Sequence, residues 1–589
     1  MDTANPTLST ATPWQHVDQQ IQTLNAKLFS GLSPVSLALA QLDWALNLLE
    51  SPSAQIQLQE TMFNDWGSWV LKSLQLQTTD EAPLDNQDAR FAHTAWHAQP
   101  WLSMVQAQHL QEKWWAQATQ LRGMRPHSKD QMRFYASKWL DMMAPNNWLA
   151  TNPQAMEKAL NTGGMSLVAG LQNAVHDWQK DHGHAPNNPA DGLQVGQGLA
   201  TAPGEVVVRN HLCELIQYAP TTKKVHAEPV LIIPSCIMKY YILDLSPHNS
   251  MVRWLVSQGH TVYILSWRNP DENDALLTMD DYVREGVLSS FEHVHQAHQE
   301  NVHLMGYCLG GTFAAMAAAA LEAHNKHRSA SDQRTAKHSN GLASLTLLAA
   351  ETDFTEPGEM GVLIDEAQVR MLEDMMAAQG FLSGKQMAGS FQFLHSRELV
   401  WSNRTKRWLL GEEEVPNDLM VWNADVTRLP AVMHSQYLRQ CFLHNDLANG
   451  HFCLDGQPLL MHNIQVPMFV VGTVKDHVSP WRSVYKIHDQ VAAPVTFALT
   501  NGGHNAGIIS EPGHAHRHYQ IHTSAGSADR ITASEWLSQA PSHEGSWWEA
   551  WSQWMVAHGS GHQVPARKPV HHADLGAAPG QYVKVTYND

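Results

Sequence analysis

Apolar residues recur at helical spacing along the first third of the chain. Between about Pro13 and Trp178 the repeat is close to the helical period of about 3.6 residues, as in the series Leu37, Leu39, Leu42, Ala45 and Leu48. The polar stretch KDHGHAPNNPAD, residues 180–191, then ends this pattern with Pro186 and Pro189. We therefore predict a helical N-terminal domain over residues 1–192.

Beyond this boundary the pattern changes to short apolar runs bounded by proline, glycine or polar residues. The runs are PVLIIP (229–234), HTVYILSW (260–267), NVHLMGY (301–307), ASLTLLAA (343–350) and PMFVVG (467–472). Short apolar strands separated by helical segments are typical of a mostly parallel sheet that helices cover on both faces. The predicted fold class of residues 193–589 is therefore α/β.

Two further segments lie outside these strands. Residues 351–463 are too many for an ordinary crossover connection and are rich in Met, Trp and Leu, so we expect an insertion that folds as a cap over the sheet. The aromatic segment WWEAWSQW (547–554) is predicted to form a helix whose indoles pack on the sheet, although contact with a greasy partner is an alternative.

The charge of the chain argues against a polyanionic partner. Its 589 residues carry a formal net charge of -18 at pH 7, whereas nucleic-acid-binding proteins concentrate Lys and Arg where phosphates must be neutralised. The start MDTANPTLSTATPW has neither the basic nor the apolar region of a secretory signal. No uninterrupted apolar run reaches the roughly 18 residues of a membrane-spanning helix. We therefore predict a cytoplasmic protein that has no transmembrane segment and binds no nucleic acid.

Cysteine and histidine spacing argues against a metal site. The five cysteines are odd in number, far apart and never arranged as CxxC, which is against both disulfides and a cysteine-built zinc site. The tract His514, His516, His518 has no accompanying Cys or carboxylate cluster, so a solvated loop is favoured. We predict no metal and no bound cofactor.

One glycine-rich turn has the features of a reactive site. The sequence GYCLGG, residues 306–311, follows a predicted strand and precedes TFAAMAAAA (312–320), which is a strong helix former. Strand, tight turn and helix in this order form the G-x-S-x-G nucleophile elbow, here with Cys308 in place of Ser. The helix N-terminus would favour a Cys308 thiolate, and the Leu309 N–H would point at a developing oxyanion. The alternative is a small buried cysteine in a chance glycine cluster.

An elbow of this kind requires an acid and a histidine later in the chain, on loops after later strands. Asp476 follows the run PMFVVG, and His504 follows the run VTFAL (495–499) between glycines. Taken singly, Asp476 could be a turn carboxylate and His504 one of 36 histidines. Chain order, strand ends and the flanking glycines together favour a triad of Cys308, His504 and Asp476.

With these motifs the sequence resembles the class I poly(3-hydroxyalkanoate) synthases, or polyhydroxybutyrate polymerases, which polymerise (R)-3-hydroxyacyl-CoA with a single type of subunit. The likeness covers most of the chain. The matching stretches include GYCLGG (306–311), KDHVSPW (475–481), GGHNAG (502–507), VRWLVSQGHTVYILSWRNPD (252–271) and VWNAD (421–425).

The resemblance implies an α/β-hydrolase fold and acyltransferase activity. Cys308 would carry the acyl group as a thioester, His504 would deprotonate it, and Asp476 would either orient His504 or help to activate the substrate's 3-hydroxyl. Coenzyme A would be a leaving group and not a cofactor. Ala506 matches the residue of short-chain members, so we expect monomers such as 3-hydroxybutyryl-CoA.

The resemblance also implies partners. We expect a homodimer in the cytoplasm at polyhydroxyalkanoate granules. The helical N-terminal domain would support oligomerisation and contact the granule surface and granule-associated proteins.

Some residues near the predicted site depart from the family pattern. The loop after the first apolar run would supply the second oxyanion N–H, from Cys236 or Ile237. Ser235 and Met238 stand there in place of the usual Pro and Asn, and Asn505 stands where Ile is common. We expect these changes to alter rate or monomer choice without removing a triad member. Cys236 itself is expected to pack rather than react.

Two other functions are compatible with the same elbow. A thioesterase or polymer depolymerase would release free 3-hydroxy acid and make no polymer. A weakly active paralogue would bind granules without turnover, and proline and asparagine at positions 235 and 238 would then restore its activity.

Overall fold

The computed structural model describes residues 13–29, 31–74, 88–181, 192–326, 341–413, 415–526 and 530–586. Contacts divide the chain into two compact units. The larger consists mainly of Pro189–Ala388 and Pro416–Asp589, and the smaller consists of Lys27–Asn188 and Gly389–Val415. The range predicted as a cap, residues 351–463, is therefore shared between the two units.

The described part of the chain before residue 182 is helical, as its apolar spacing predicts. Several of its helices have proline in the first turn, where the missing N–H costs no intrahelical hydrogen bond. The helices are α1 (Pro13–Leu28), α2 (Pro34–Leu49), α3 (Pro52–Ser73), α4 (Trp101–Ala118), α5 (Pro126–Met143), α6 (Pro153–Asn161) and α7 (Met165–Asp181), with 3₁₀ turns at Ala89–Phe91, Thr94–His97, Pro145–Asn147 and Leu149–Thr151.

Charged side chains attach residues 389–415 to these helices. Arg397 donates to the buried carboxylate of Asp141 on α5 at 2.7 Å. Arg407 donates to Asp177 on α7, also at 2.7 Å. A buried charged group depends on its ion-pair partner, because loss of the partner leaves the charge unpaired away from water. This part of the long insertion is thus built into the helical unit.

The larger unit is organised around one sheet. Ten of its described strands are joined in the order β10-β9-β8-β7-β6-β5-β3-β4-β2-β1. Strands β3 to β8 run parallel, and antiparallel strands extend the sheet at both edges. The strands are β1 (Gly204–Arg209), β2 (Cys213–Tyr218), β3 (Val230–Ile233), β4 (Val262–Trp267), β5 (Val302–Tyr307), β6 (Leu342–Leu348), β7 (Met468–Thr473), β8 (Val495–Thr500), β9 (His518–Ser524) and β10 (Ser542–Glu544).

The apolar runs of the sequence form the centre of this sheet, and the prediction of a mostly parallel sheet is confirmed. Strands β3 to β8 are buried along their whole length, which is why they read as continuous apolar runs and not as alternating ones. In a parallel sheet the carboxyl ends of all strands lie at one edge. The loops after β5, β6, β7 and β8 therefore meet there.

Helices and short strand pairs complete the structure. The helices are α8 (Met251–Ser257), α9 (Met279–Asp281), α10 (Ser289–His298), α11 (Leu309–Lys326), α12 (Gly358–Leu363), α13 (Glu366–Ala377), α14 (Gly384–Leu394), α15 (Asp418–Asn423), α16 (Ala431–Gln436), α17 (Asp446–Asn449), α18 (Trp481–Tyr485), α19 (Ile487–Gln490), α20 (Ala533–Gln539) and α21 (Trp547–Ala557). π-helical turns occur at Tyr282–Leu288, Ser396–Ser402, Thr405–Leu409 and Tyr437–Leu443, and 3₁₀ turns at Tyr240–Asp244, Glu272–Asp274, Met461–Asn463 and Tyr582–Lys584. The strand pairs are Gln194–Val195 with Gly198–Leu199, Lys224–His226 with Gln563–Pro565, Phe381–Leu382 with Leu429–Pro430, and Cys453–Leu454 with Gln457–Pro458.

The tryptophan-rich helix α21 packs inside the larger unit, as its aromatic spacing predicts. The side chains of Trp547, Trp548 and Trp551 are fully buried. The indole N–H of Trp547 donates to the carbonyl of Gly507 at 3.1 Å, and that of Trp548 donates to the carbonyl of Ile508 at 2.9 Å. Because a buried indole needs an acceptor, these bonds tie α21 to the loop after β8. That loop carries His504.

Helix α11 begins very close to the end of β3. A Cβ on Gly310 would overlap the carbonyl oxygens of Ile233 and Pro234, which are rigid backbone atoms. Replacing Gly310 with alanine should therefore lower the free energy of unfolding of this unit by about 1–3 kcal/mol. The measurement is thermal unfolding of the purified variant.

Gly389 on α14 provides the matched control, since a Cβ there meets nothing within 4 Å. Gly389→Ala should raise stability by about 0.5–1 kcal/mol through its better helix propensity. Equal unfolding midpoints for Gly310→Ala and the parent protein would show that the helix start can move away from β3.

Candidate active site

Cys308 occupies a sharp turn between β5 and α11. Its backbone is left-handed, with φ 54°, which is strained for a residue that is not glycine. Hydrogen bonds hold the turn: the Cys308 N–H donates to Leu348 O at 2.9 Å, and Cys308 O accepts from Gly311 N–H at 2.8 Å. The side chain is partly exposed while its neighbours on both sides are buried. The predicted elbow is present, with the cysteine at its apex.

The loops after β7 and β8 bring Asp476 and His504 together. His504 Nδ1 lies 2.9 Å from Asp476 Oδ2, and the side chains are 14% and 0% exposed, respectively. Asp476 Oδ2 also accepts from the Thr473 hydroxyl at 3.0 Å. Asp476 Oδ1 accepts from the N–H groups of Val478 and Ser479 at 2.9 and 2.8 Å. Both carboxylate oxygens are therefore engaged, and the carboxyl group has no exposed surface.

The charges of this pair are set by the contacts. Burial alone would lower the pKa of His504, but the Asp476 carboxylate and the Cys308 sulfur together raise it well above its usual value. Burial alone would raise the pKa of Asp476, but His504 and the two backbone N–H groups keep it below its usual value. The Cys308 side chain is thus close enough to the His504 ring to act on its pKa. Because Nδ1 is occupied by Asp476, Nε2 is the nitrogen left for the sulfur.

The structure thus brings together the three residues that the sequence predicts as a triad. Their arrangement allows His504 to exchange a proton with Cys308 while the carboxylate fixes the ring and balances its charge. Thr473, which supports the carboxylate, was not singled out from the sequence. Its position at the end of β7, three residues before Asp476, is the signal that could have indicated it.

A second set of contacts orients the histidine loop. The ring of Tyr307 lies against His504 with centroids 5.5 Å apart, and its hydroxyl donates to Asn505 Oδ1 at 2.6 Å. Asn505 Nδ2 donates to Asn423 Oδ1 at 3.3 Å. Asn505, which departs from the family pattern, therefore links the histidine loop by hydrogen bonds to the elbow strand and to the insertion. No sequence pattern indicated that Tyr307 and Asn505 would meet.

The predicted oxyanion donors differ in availability. Leu309 is the first residue of α11, so its N–H has no acceptor within the helix. The N–H of Ile237 donates to the Ser235 hydroxyl at 3.2 Å and is already engaged. The carbonyl of Cys236 accepts from the Thr427 hydroxyl at 2.6 Å, which anchors the loop after β3 to the insertion. Leu309 is therefore the predicted donor that the geometry favours.

Cys236 is a buried thiol near the elbow. Burial raises the pKa of Cys236, and the nearby Cys308 raises it further. A thiol that resists ionisation is a poor nucleophile. These properties fit the packing role expected for Cys236 and separate it from Cys308.

The described residues contain neither a metal-binding cluster nor a membrane-spanning helix. No group of three or more His, Cys, Asp or Glu side chains is placed to hold a metal ion in the part of the chain that the structure covers. Among the described helices none combines the length and apolar character needed to cross a membrane. Within the tract predicted as a solvated loop, His514 pairs with Glu511 at 2.8 Å.

Comparisons with known families match nearly the whole chain. The model for the poly-beta-hydroxybutyrate polymerase (PhaC) N-terminus matches residues 87–255, and a second N-terminal model of the same polymerase matches residues 12–53. The α/β-hydrolase fold model matches residues 229–510. The predicted α/β-hydrolase fold is thereby confirmed.

Curated relatives align over most of their length. The poly(3-hydroxyalkanoate) polymerase of Methylorubrum extorquens is 34% identical over 549 residues, which covers 92% of this chain and 88% of that protein. The polymerase subunit PhaC of Cupriavidus necator is 36% identical over 466 residues, or 78% of this chain and 76% of that one. Among solved structures, a Paleococcus ferrophilus monoacylglycerol lipase covers 59% of this chain and 99% of its own at 12% identity, with a TM-score of 0.32.

The Asp476 carboxylate should control the protonation of His504. Asp476→Asn removes the negative charge that stabilises the imidazolium form of the ring, so the pKa of His504 should fall. The measurement is a pH titration of isotope-labelled histidine by NMR, with the His504 signal assigned from its absence in His504→Ala.

Thr473→Val is the matched control, because it removes one hydrogen bond from Asp476 but keeps the charge. Its effect on the pKa of His504 should be smaller than that of Asp476→Asn. An unchanged His504 titration in Asp476→Asn would mean that the carboxylate does not govern the ring.

Proposed function

The chain belongs to the poly(3-hydroxyalkanoate) polymerase family, and from this we propose that it converts (R)-3-hydroxyacyl-CoA into poly(3-hydroxyalkanoate), with the growing acyl group on Cys308 and release of coenzyme A. The observation that carries this proposal is the contact of Cys308 with the His504–Asp476 pair at the apex of the elbow. As a member of this family the protein is an acyltransferase.

The first step is acylation of Cys308. His504 accepts the thiol proton, and the sulfur attacks the thioester carbonyl of the substrate. The Leu309 N–H is positioned by α11 to stabilise the resulting oxyanion. When the tetrahedral intermediate collapses, the bond to the coenzyme A sulfur breaks and His504 returns the proton to it. One thioester replaces another, so the acyl group keeps the reactivity of a thioester for the next step.

The second step is chain growth. The 3-hydroxyl of another acyl unit attacks the thioester carbonyl at Cys308, and His504 accepts the hydroxyl proton. An ester bond forms, the carbon–sulfur bond breaks, and Cys308 leaves as the thiolate or takes the proton from His504. The contacts of Asp476 distinguish between its two candidate roles, orientation of His504 and activation of the substrate's 3-hydroxyl. Its buried, fully engaged carboxylate favours orientation of His504 over contact with the hydroxyl.

Polymerisation also requires that a hydroxyl, and not water, reaches the acyl-enzyme. Residues from the insertion contact the loops of the site: Thr427 binds the loop after β3, and Asn423 binds Asn505 beside His504. Tyr437, from the same insertion, has its pKa raised well above the usual value by burial and by the nearby Cys308. Residues of the insertion beside the partly exposed Cys308 would limit the approach of water, which supports the polymerase over the thioesterase or depolymerase alternative.

The monomer and the location follow from the resemblance. The small side chain of Ala506, two residues after His504, supports short-chain monomers such as 3-hydroxybutyryl-CoA. We propose that the enzyme is a homodimer that acts in the cytoplasm at polymer granules. Assays with 3-hydroxyacyl-CoA substrates of different chain lengths, followed by sizing of the polymer, would measure the range of monomers that it accepts.

Cys308→Ala should abolish both the release of coenzyme A from (R)-3-hydroxybutyryl-CoA and the retention of labelled acyl group on the protein, because the variant lacks the sulfur that takes the acyl group from coenzyme A. Thiol release and protein-bound label are the two measurements. Cys453→Ala is the control, since Cys453 is exposed and lies on a strand pair away from β5. Its rates should match the parent protein.

Product identity separates the alternatives. Polymer recovered from the parent reaction supports the polymerase, whereas free 3-hydroxy acid without polymer would establish a hydrolase. Unchanged coenzyme A release in Cys308→Ala would remove Cys308 from the reaction altogether.

The granule contact has a candidate surface on the helices near the start of the chain. Large apolar side chains at heptad-like spacing are exposed on α1 and α2. On α1 they are Trp14, Val17, Ile21, Leu24 and Leu28, and on α2 they are Val35, Leu39, Leu42, Leu46 and Leu49. Exposed apolar stripes of this size indicate contact with another apolar surface, which supports binding to the polymer or to granule proteins.

Leu39→Glu combined with Leu46→Glu should reduce the fraction of protein that sediments with polymer granules, because two charges interrupt the α2 stripe. Coenzyme A release in solution should be retained. Gln41→Glu adds charge at an exposed position outside the stripe and is the control. Equal sedimentation of both variants would exclude the stripe as the granule contact.

A further inference from the structure

One carboxyl group beside the triad has no role in the steps above. Glu351 lies three residues after the end of β6, the strand between β5 and β7 in the sheet. Its carbonyl accepts from the Thr312 hydroxyl in the first turn of α11 at 2.8 Å. The residue is only 5% exposed. Glu351 therefore enters the site from the connection between the elbow and the loop of Asp476.

The Glu351 carboxyl group is incompletely paired. Among the residues that the structure describes, Oε1 is buried and has no hydrogen-bond partner. The nearby Ser483 hydroxyl donates to Asp353 O at 2.8 Å. Oε1 is thus a buried acceptor with no donor in the described part of the chain.

The surroundings of Glu351 hold it in the neutral form. Burial raises the pKa of Glu351 well above its usual value, and the Asp476 carboxylate and Cys308 raise it further. Burial raises the pKa of Tyr437 in the insertion, and Cys308 and Glu351 raise it further. Buried polar atoms are nearly always paired, so an unpaired acceptor on the loop that bonds to the first turn of α11 indicates a missing ligand group.

We propose that Glu351 is a substrate-binding residue, whose Oε1 accepts a hydrogen bond from the hydroxyl group of the acyl chain at Cys308, so that the site selects 3-hydroxyacyl groups over acyl groups without a hydroxyl. The proposal rests on the proposed function, since it requires acylation of Cys308. A site that hydrogen-bonds a substrate hydroxyl discriminates against an analogue that lacks it, because the analogue leaves the buried group unpaired.

The test compares two substrates in a single turnover. Coenzyme A release is measured with (R)-3-hydroxybutyryl-CoA and with butyryl-CoA, which differ only in the hydroxyl. In Glu351→Met, which keeps the length of the side chain but has no comparable acceptor, the ratio of the two kcat/KM values should fall by about 10- to 100-fold. The ratio should fall because the kcat/KM value for (R)-3-hydroxybutyryl-CoA falls.

Glu351→Gln is the matched conservative variant. Its amide N–H can donate to Ser483 and its Oε1 can accept, as in the protonated acid, so the substrate preference should be kept. Glu356→Met, which makes the same substitution at an exposed carboxyl group of the same connection, controls for the change to Met away from the elbow. Thermal unfolding of each variant reports on folding, and Glu351→Ala serves as the second test of the ratio if Glu351→Met does not accumulate.

The outcomes separate the two proposals. Suppose that the parent protein is acylated and that Glu351→Met leaves both kcat/KM values unchanged or lowers both equally. The binding role of Glu351 is then overturned, and the proposed function stands. If the parent protein releases coenzyme A from neither substrate, the proposed function fails, and the role of Glu351 fails with it.

Discussion

The burial of one carboxylate constrains the arrangement of the whole site. Asp476 has no exposed surface, so its charge must be balanced and both oxygens must find donors within the protein. The end of β7 supplies Thr473 and two backbone N–H groups, and the loop after β8 supplies His504. That loop is held in turn by the buried indoles of Trp547 and Trp548. The tryptophan helix therefore fixes the loop that carries His504.

Local patterns in the sequence predict the fold and the triad, because these features are written within short segments. The apolar runs become β3 to β7, and GYCLGG becomes the elbow at Cys308. Contacts between distant segments could not be predicted in this way. The link from Tyr307 to Asn505 spans almost two hundred residues, and the grouping of residues 389–415 with the N-terminal helices depends on ion pairs such as that of Arg397. Glu351 had no motif and became visible only through its burial.

The contacts of a residue that departs from the family pattern show what that residue does in the structure. Ser235 replaces a proline, and its hydroxyl accepts the N–H of Ile237. The loop after β3 thus uses the Ile237 N–H to stabilise itself, which leaves the N–H groups of Cys236 and Leu309 as the predicted oxyanion donors. Thr427 anchors the same loop from the insertion. The rate of acylation should then depend on the insertion as well as on the elbow.

Two carboxyl groups near the same sulfur are driven to opposite protonation states. Asp476 receives hydrogen bonds on both oxygens and faces a histidine, so the charged form is favoured. Glu351 is buried near that charge and its Oε1 has no donor among the described residues, so the neutral form is favoured. A second negative charge would oppose the thiolate that Cys308 must form. The neutral acid leaves an acceptor in the site without this cost, which is the property that recognition of a hydroxyl requires.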